Sequence, residues 1–228
     1  CPLDECPTCG AREITTEHDG VYGWQNGNYR FRGDTYPCNC KVQILLRIHY
    51  LHANIGEQYQ RLDWKEYDGS EAAITSVSDY LALWKSFRKH GYGMEFGGKG
   101  LGIGKTFAAT TVGKELIKHG QNVYFVPFVE MISAFQRDDH QAFEDRLRGV
   151  TYLILDELLP ASSGAQHSLY ATKLEALIRH RTNFNLPTII TTNMSEEDLT
   201  EEYPRTYSLL AAKQMRVDGQ DLNIWATG

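Results

Sequence analysis

The run Gly97-Gly98-Lys99-Gly100-Leu101-Gly102-Ile103-Gly104-Lys105-Thr106 is followed about fifty residues later by Tyr152-Leu153-Ile154-Leu155-Asp156-Glu157. Closely spaced glycines let backbone N–H groups converge on phosphate oxygens without Cβ clashes. Lys105 then offers a point charge to the β- and γ-phosphates, and Thr106 a hydroxyl to Mg²⁺. An apolar strand ending in Asp-Glu presents one carboxylate, Asp156, to the metal and a second, Glu157, to an attacking water. In this order the two elements specify an ATP site. Gly98, Gly100, Gly102, Ile103, Gly104, Lys105, Thr106 and Phe107 form its phosphate-binding part.

One detail departs from the usual spacing, which puts a glycine five positions before Gly104. Lys99 stands there, flanked by Gly98 and Gly100. The loop is therefore either one residue longer or opens on a different glycine. Phe107 to His119 has helical composition and ends at Gly120, a suitable helix C′ residue. Phosphate at the start of that helix gains from its free N–H groups and dipole.

Outward from this motif, strands and helices alternate. A helix over 78–89, capped by Ser78, precedes a short strand at Met94–Phe96. Helix 106–119, strand 122–127, helix 129–147, strand 152–155, helix 167–183 and strand 188–192 follow. The strands are continuous apolar runs, as expected where helices cover both faces of a parallel sheet. The pattern predicts an α/β fold with ligands at the carboxyl ends of the strands. The last strand ends in Thr191-Thr192-Asn193, and the Asn193 amide is expected to sense the γ-phosphate or orient the lytic water. Ser195-x-x-Asp198 then reads as a capping box opening another helix.

All five cysteines lie in the first forty residues. Cys6-x-x-Cys9 and Cys38-x-Cys40 enclose 28 residues with glycines at turn spacing and strand-like Val21-Tyr22 and Tyr29-Arg30-Phe31. Paired thiolate knuckles of this kind give a closed, structural Cys₄ zinc site. Free thiols are the alternative, and Cys1 and His18 are spare ligands. A helix over 41–54 connects this module to the rest, and 57–77 is polar and irregular. The expected division is a zinc module with its connecting helix at 1–56 and an ATPase domain at 57–228.

Composition is ordinary, with 42% hydrophobic and 23% charged residues and a net charge of −6. That excludes a uniformly basic nucleic-acid coat, so any DNA contact is local. No apolar run approaches the roughly 20 residues needed to span a bilayer, and no signal-peptide core is present, so a cytoplasmic location is expected. The chain starts at Cys1, not Met, and upstream residues are expected.

The order CPTCG…YPCNCK, helix, GKGLGIGKT, YLILDEL, TIITTNMSEEDL resembles the bacterial and phage replicative helicase loaders of the DnaC/DnaI type. These are AAA+ proteins, and the resemblance covers most of the chain. It implies a three-layer P-loop core with a parallel sheet. About 35 residues follow Asn193, too few for a C-terminal helical lid, as in the loaders. It also implies Lys105 and Thr106 as the Walker A lysine and Mg²⁺ ligand, Asp156 and Glu157 as the Walker B carboxylates, and Asn193 as sensor 1. Phe128 to Arg148 would line a single-stranded DNA channel, with Phe128, Phe135, Arg137, Arg146 and Arg148 as contacts or, for the two phenylalanines, core. The implied partners are a hexameric replicative helicase, single-stranded DNA and further copies of the chain; the implied cofactors are ATP or ADP, Mg²⁺ and Zn²⁺.

Two positions depart from the family pattern. The arginine-finger position falls on Leu209, with Arg205 or Arg216 as substitutes, and the sensor 2 position on Asn223. A trans arginine is worth ~10³–10⁵ in rate, so slow hydrolysis is expected. Two other functions share these motifs: a transposition ATPase of the IstB type, and a zinc-stapled DNA-binding adaptor that keeps ATP as a structural ligand.

Overall fold

The computed structural model describes residues 22–25, 28–31, 34–37, 40–60, 62, 71–98, 104–137, 139–160 and 165–218. The chain divides into two compact units, Cys1–His52 and Ala53–Gly228. In the first, β1 (Tyr22–Gln25), β2 (Asn28–Phe31) and β3 (Asp34–Pro37) form an antiparallel three-stranded meander. The sequence announced two of these strands; the third, with Asp34 and Pro37 at its ends, carried no strand signal. Helix α1 (Cys40–His52) follows. Cys40 opens that helix, whereas Cys1, Cys6, Cys9 and Cys38 lie outside the described residues.

The second unit is built on a parallel five-stranded sheet of order β5-β6-β7-β4-β8. Its strands are β4 (Gly93–Gly97), β5 (Val123–Pro127), β6 (Tyr152–Leu158), β7 (Thr188–Thr192) and β8 (Gln214–Asp218). The four strands read from sequence are all present. β8 is an addition: Gln-Met-Arg-Val-Asp alternates polar and apolar residues, as an edge strand does.

Helix α5 (Lys105–Lys118) crosses one face, burying Ala108, Ala109, Val112 and Leu116 at helical spacing. The opposite face carries α6 (Phe128–Phe135), α7 (Gln141–Gly149), α8 (Ala165–Asn183), α9 (Glu196–Glu202) and α10 (Pro204–Ala211). Phe128, Met131, Leu147, Leu174, Leu177 and Leu210 from these helices pack on Val126, Leu153, Leu155 and Ile190 of the sheet. Between Val129 and Leu147 a single helix was expected. The polar stretch after Phe135 interrupts the apolar stripe, and the chain forms two helices instead.

Ahead of the sheet lie α2 (Glu57–Gln60), α3 (Glu71–Ala82) and α4 (Trp84–His90). The expected cap at Ser78 is not a cap, because Ser78 lies inside α3. Ala73, Val77 and Tyr80, fully buried, form that helix's inner stripe, and small Ala73 hid the pattern. Gly91 ends α4 in the left-handed conformation and the Ser195–Asp198 capping box opens α9, both as read.

The base of the sheet is held by Arg181, which is wholly buried. Its guanidinium donates to the carbonyls of Leu147 (2.8 Å), Val150 (2.9 Å), Thr151 (3.2 Å) and Pro187 (2.6 Å), and to Thr188 Oγ1 (3.0 Å). One side chain thus ties the end of α7 to the starts of β6 and β7. Burial, and then the charge of Arg88, lower its pKa to about 9, so it remains a cation at neutral pH. Among the described residues no helix is long and apolar enough to cross a membrane.

Candidate nucleotide site

The carboxyl ends of β4, β6 and β7 converge beside the first turn of α5. Gly98 (φ 106°) and Gly104 (φ 85°) bracket the phosphate loop, both in the region that L side chains avoid. Lys99, Gly100, Leu101, Gly102 and Ile103 lie outside the described residues. Lys105 Nζ donates to the Gly98 carbonyl at 3.3 Å, across the mouth of the loop. Burial lowers the Lys105 pKa, and the Glu157 and Asp156 carboxylates oppose that shift. Half-buried Phe107 follows in the same turn.

Thr106 Oγ1 donates to Asp156 Oδ1 at 2.9 Å, and Thr191 Oγ1 donates to the same oxygen at 2.6 Å. Burial raises the Asp156 pKa, and these two hydroxyl donors counter it. The bonds leave Oδ2 unassigned for a metal. Thr191 also accepts from the Glu157 backbone N–H at 2.8 Å. Sequence reading missed this residue, for Thr191 in Thr-Ile-Ile-Thr-Thr looks like any buried strand threonine.

Glu157 itself is exposed with φ 57°, in the left-handed region at a register shift between β6 and β7. A non-glycine residue held there costs on the order of 1–3 kcal/mol, a strain that clusters at functional positions. The bulge turns Glu157 out of the ladder, and Thr191 holds it. This is also why β6 runs to Leu158 and not only to Leu155.

Asn193 follows β7, and the next residue, Met194, accepts from Gly98 N–H at 3.3 Å, which ties the segment after β7 to the end of β4. Asn193 Oδ1 is buried and has no hydrogen-bond partner among the described residues. An orphaned buried acceptor just past the carboxyl end of β7 fits a water that donates to it. With the glycine cradle, Lys105, Thr106 and the free Asp156 oxygen, the donor set fits magnesium-bound nucleoside triphosphate.

Tyr59 also reaches the site, from a segment whose sequence was uninformative. Its hydroxyl lies near Thr106, Asp156 and Glu157. Burial first, and the Asp156 charge second, raise its pKa, so it is a neutral O–H.

Of the arginines, Arg216 on β8 is engaged within the chain. Its Nη1 lies 3.0 Å from Glu196 Oε2 and 3.6 Å from Glu95 Oε1, and it donates to the Tyr207 hydroxyl at 3.1 Å. Arg205 is 81% exposed, with Glu175 at 3.9 Å. Leu209 packs against the core and Asn223 is outside the described residues. In the segment expected to meet DNA, Phe128 is core and Phe135 packs edge-on against Phe143. Arg146 lies over the Tyr124 ring at 4.0 Å and Arg148 pairs with Glu144 at 2.6 Å, while Arg137 is exposed.

The second unit has an α/β fold with a parallel five-stranded sheet, and that fold is shared with several solved structures. Among solved structures, the DnaC helicase loader superposes with a TM-score of 0.60 at 20% identity, over 72% of this chain and 99% of that one. DnaI gives 0.58 at 20% identity, over 72% and 94%. The replication initiator DnaA bound to AMPPCP and single-stranded DNA gives 0.54 at 17%, over 66% and 46%. At these identities the likeness establishes the fold. No protein-family profile and no curated protein matches the sequence itself.

Proposed function

We propose that this chain is an ATP-dependent replicative helicase loader. It assembles on a hexameric DNA helicase, binds single-stranded DNA and forms oligomers with its own copies during replication initiation. The observation that carries the ATP part is the convergence of Thr106, Thr191 and Asp156 beside Lys105. The loader part is supported by a fold likeness that spans almost the whole of the DnaC structure.

Magnesium-bound ATP would supply the γ-phosphoryl group for transfer to water. Lys105 and the loop N–H groups bind its phosphates. Thr106 and the free oxygen of Asp156 hold the metal directly or through water. Glu157 orients the attacking water and takes its proton, with Asn193 Oδ1 accepting from the same water. Arg205, exposed at the start of α10, is the arginine proposed to act toward a neighbouring copy, since Arg216 is engaged within the chain.

Cys6, Cys9, Cys38 and Cys40 are proposed to hold structural zinc in a module over 1–56, ahead of the ATPase domain at 57–228. Among the described residues no cluster of three or more His, Cys, Asp or Glu could hold a metal, and Cys6, Cys9 and Cys38 are outside that set. Elemental analysis of the full chain should find about one zinc per chain, since such a site contributes folding energy to a small module. Metal-free protein that keeps this module folded would refute it.

A second reading, the adaptor that retains ATP structurally, is favoured by Leu209 packing into the core where a finger arginine is expected. The two separate on turnover: mixing with helicase and single-stranded DNA should raise ATP hydrolysis by a loader and leave an adaptor unchanged.

A further inference from the structure

The nucleotide site occupies the carboxyl ends of the strands, and the amino ends carry a different chemistry. Four stretches that pass through those amino ends, 80–94, 116–129, 176–195 and 203–217, contain no Asp or Glu. In a chain of net charge −6, this concentrates positive charge at one end of the sheet. The carboxylates at its border are largely engaged. Glu115 pairs with Lys118 at 2.6 Å and Glu144 with Arg148 at 2.6 Å, which leaves exposed Asp79, one turn before α4. Among the described residues no carboxylate pairs with Lys85, Arg88, Lys89 or Lys213.

Aromatic rings lie among these cations. Arg88 Nη1 donates to the Asn185 carbonyl at 3.3 Å, which sets the end of α4 against the turn between α8 and β7. In that turn Phe184 is 66% exposed and rests on the His180 ring at 4.6 Å. Burial, and then the charges of Arg148 and Arg181, lower the His180 pKa, so this imidazole is neutral at pH 7. On the other side of α4, Lys213 Nζ donates to the His90 carbonyl at 2.7 Å and lies over the exposed Tyr92 ring. At the start of the helix, Lys85 Nζ lies over Trp84, which stacks on His119.

We propose that this surface binds single-stranded nucleic acid, with Phe184 and Tyr92 as stacking platforms and Lys85, Lys89 and Lys213 beside the phosphates. The proposal rests on the reading of the chain as a DNA-binding protein and gives that binding a place. Cations gathered without carboxylates repel one another, and a polyanion relieves the repulsion. An acidic peptide would do that much, yet it brings no planar group to the rings. A single strand brings both, because every base has a face to stack and every sugar a phosphate. The stretch expected to meet DNA offers less: Phe128 is core, and Arg146 and Arg148 are engaged within the chain. The amino ends also lie a strand's length from Asp156 and Glu157, whose charges would repel phosphates.

The test is fluorescence anisotropy of a fluorescein-labelled oligothymidylate with the full chain, ATP and Mg²⁺ present. Phe184→Ala should weaken binding by roughly fivefold to hundredfold, the loss of one stacked base, and Phe184→Trp should retain it. Lys85→Gln together with Lys89→Gln should lower the slope of log affinity against log salt by about 1.4, two phosphate contacts on a single strand. All three positions are exposed, so melting temperature and ATP affinity should stay at wild-type values. Wild-type affinity and slope in these variants overturn the proposal; loss of binding with Arg137→Ala in their place leaves the DNA-binding reading standing. Polyglutamate that displaces the probe as readily as unlabelled oligothymidylate also overturns it, since the surface would then answer to charge alone, as one for an acidic protein does. A wild-type chain that binds no oligothymidylate overturns both the proposal and the reading beneath it.

Discussion

Lys105 Nζ reaches the Gly98 carbonyl, seven residues earlier, and so joins the first turn of α5 to the end of β4. Among the described residues of this run, Gly98 and Gly104 have left-handed backbone. Lys105→Ala removes the charge facing the β- and γ-phosphates and leaves the α5 core intact. Triphosphate affinity should fall by roughly 100-fold or more, on the scale of lost charged hydrogen bonds. Glu157→Gln should keep the affinity and lower hydrolysis. Isothermal titration and a phosphate-release assay separate the two outcomes.

Thr191 carries two duties with one hydroxyl, donating to Asp156 and accepting from Glu157 N–H. Thr191→Val keeps the shape and deletes both. The expected loss is about 1–3 kcal/mol of stability, from polar groups left unpaired, together with weaker Mg²⁺ dependence of nucleotide binding. Thermal melting read beside a Mg²⁺ titration checks both effects. A variant that matches wild type in the two would show that the Glu157 turn is held by something else.

Arg216 is the counter-charge of buried Glu95, whose carboxyl pKa is raised by burial, with Arg216 opposing the shift and Glu196 adding to it. Arg216→Met should push that pKa further up. A folded-state carboxyl pKa above the unfolded value binds the proton more tightly in the native state. The stability it contributes is present below the ordinary carboxylate range and is lost as pH rises through it. Melting temperature of Arg216→Met should therefore drop from pH 4 to pH 7 (roughly the window above an unperturbed Glu) more than wild type does. Adding Glu95→Gln should remove the extra slope. An unchanged slope in Arg216→Met would mean that the pair is not coupled.

Arg205→Ala should reduce hydrolysis by assembled protein about 10³-fold or more if this side chain serves as the trans finger, and should leave monomer nucleotide affinity alone. Rapid turnover indifferent to both Arg205→Ala and Arg216→Ala would refute the reading of α10. Single-stranded DNA affinity should require nucleotide-driven assembly, because within the chain Arg146 and Arg148 already have partners. It should fall steeply with salt. Tight DNA binding by the nucleotide-free monomer would contradict that mechanism.

What the sequence revealed and what it hid follow a physical line. Lys105, Thr106, Asp156, Glu157 and Asn193 stood out as candidates because phosphate and metal chemistry would need those groups at the ends of apolar runs, and the fold brings Lys105, Thr106 and Asp156 together. Four strands of the sheet were legible because buried parallel strands are continuous apolar runs. Thr191 and Arg181 were not, since their roles arise from which distant groups they meet. Nothing local to Arg181 says that four carbonyls from three elements will surround it. Helix α3 was misplaced because its inner stripe begins with alanine, and β8 was missed because a half-exposed edge strand mixes polar and apolar residues.

The most direct test of the account is capture of partners by the full chain from lysate of its source cells, with ATP and without, beside Lys105→Ala. The account predicts that a hexameric replicative helicase is retained in an ATP-dependent manner and lost with Lys105→Ala. Retention of a transposase in its place, or retention of no helicase in the presence of ATP, would contradict it.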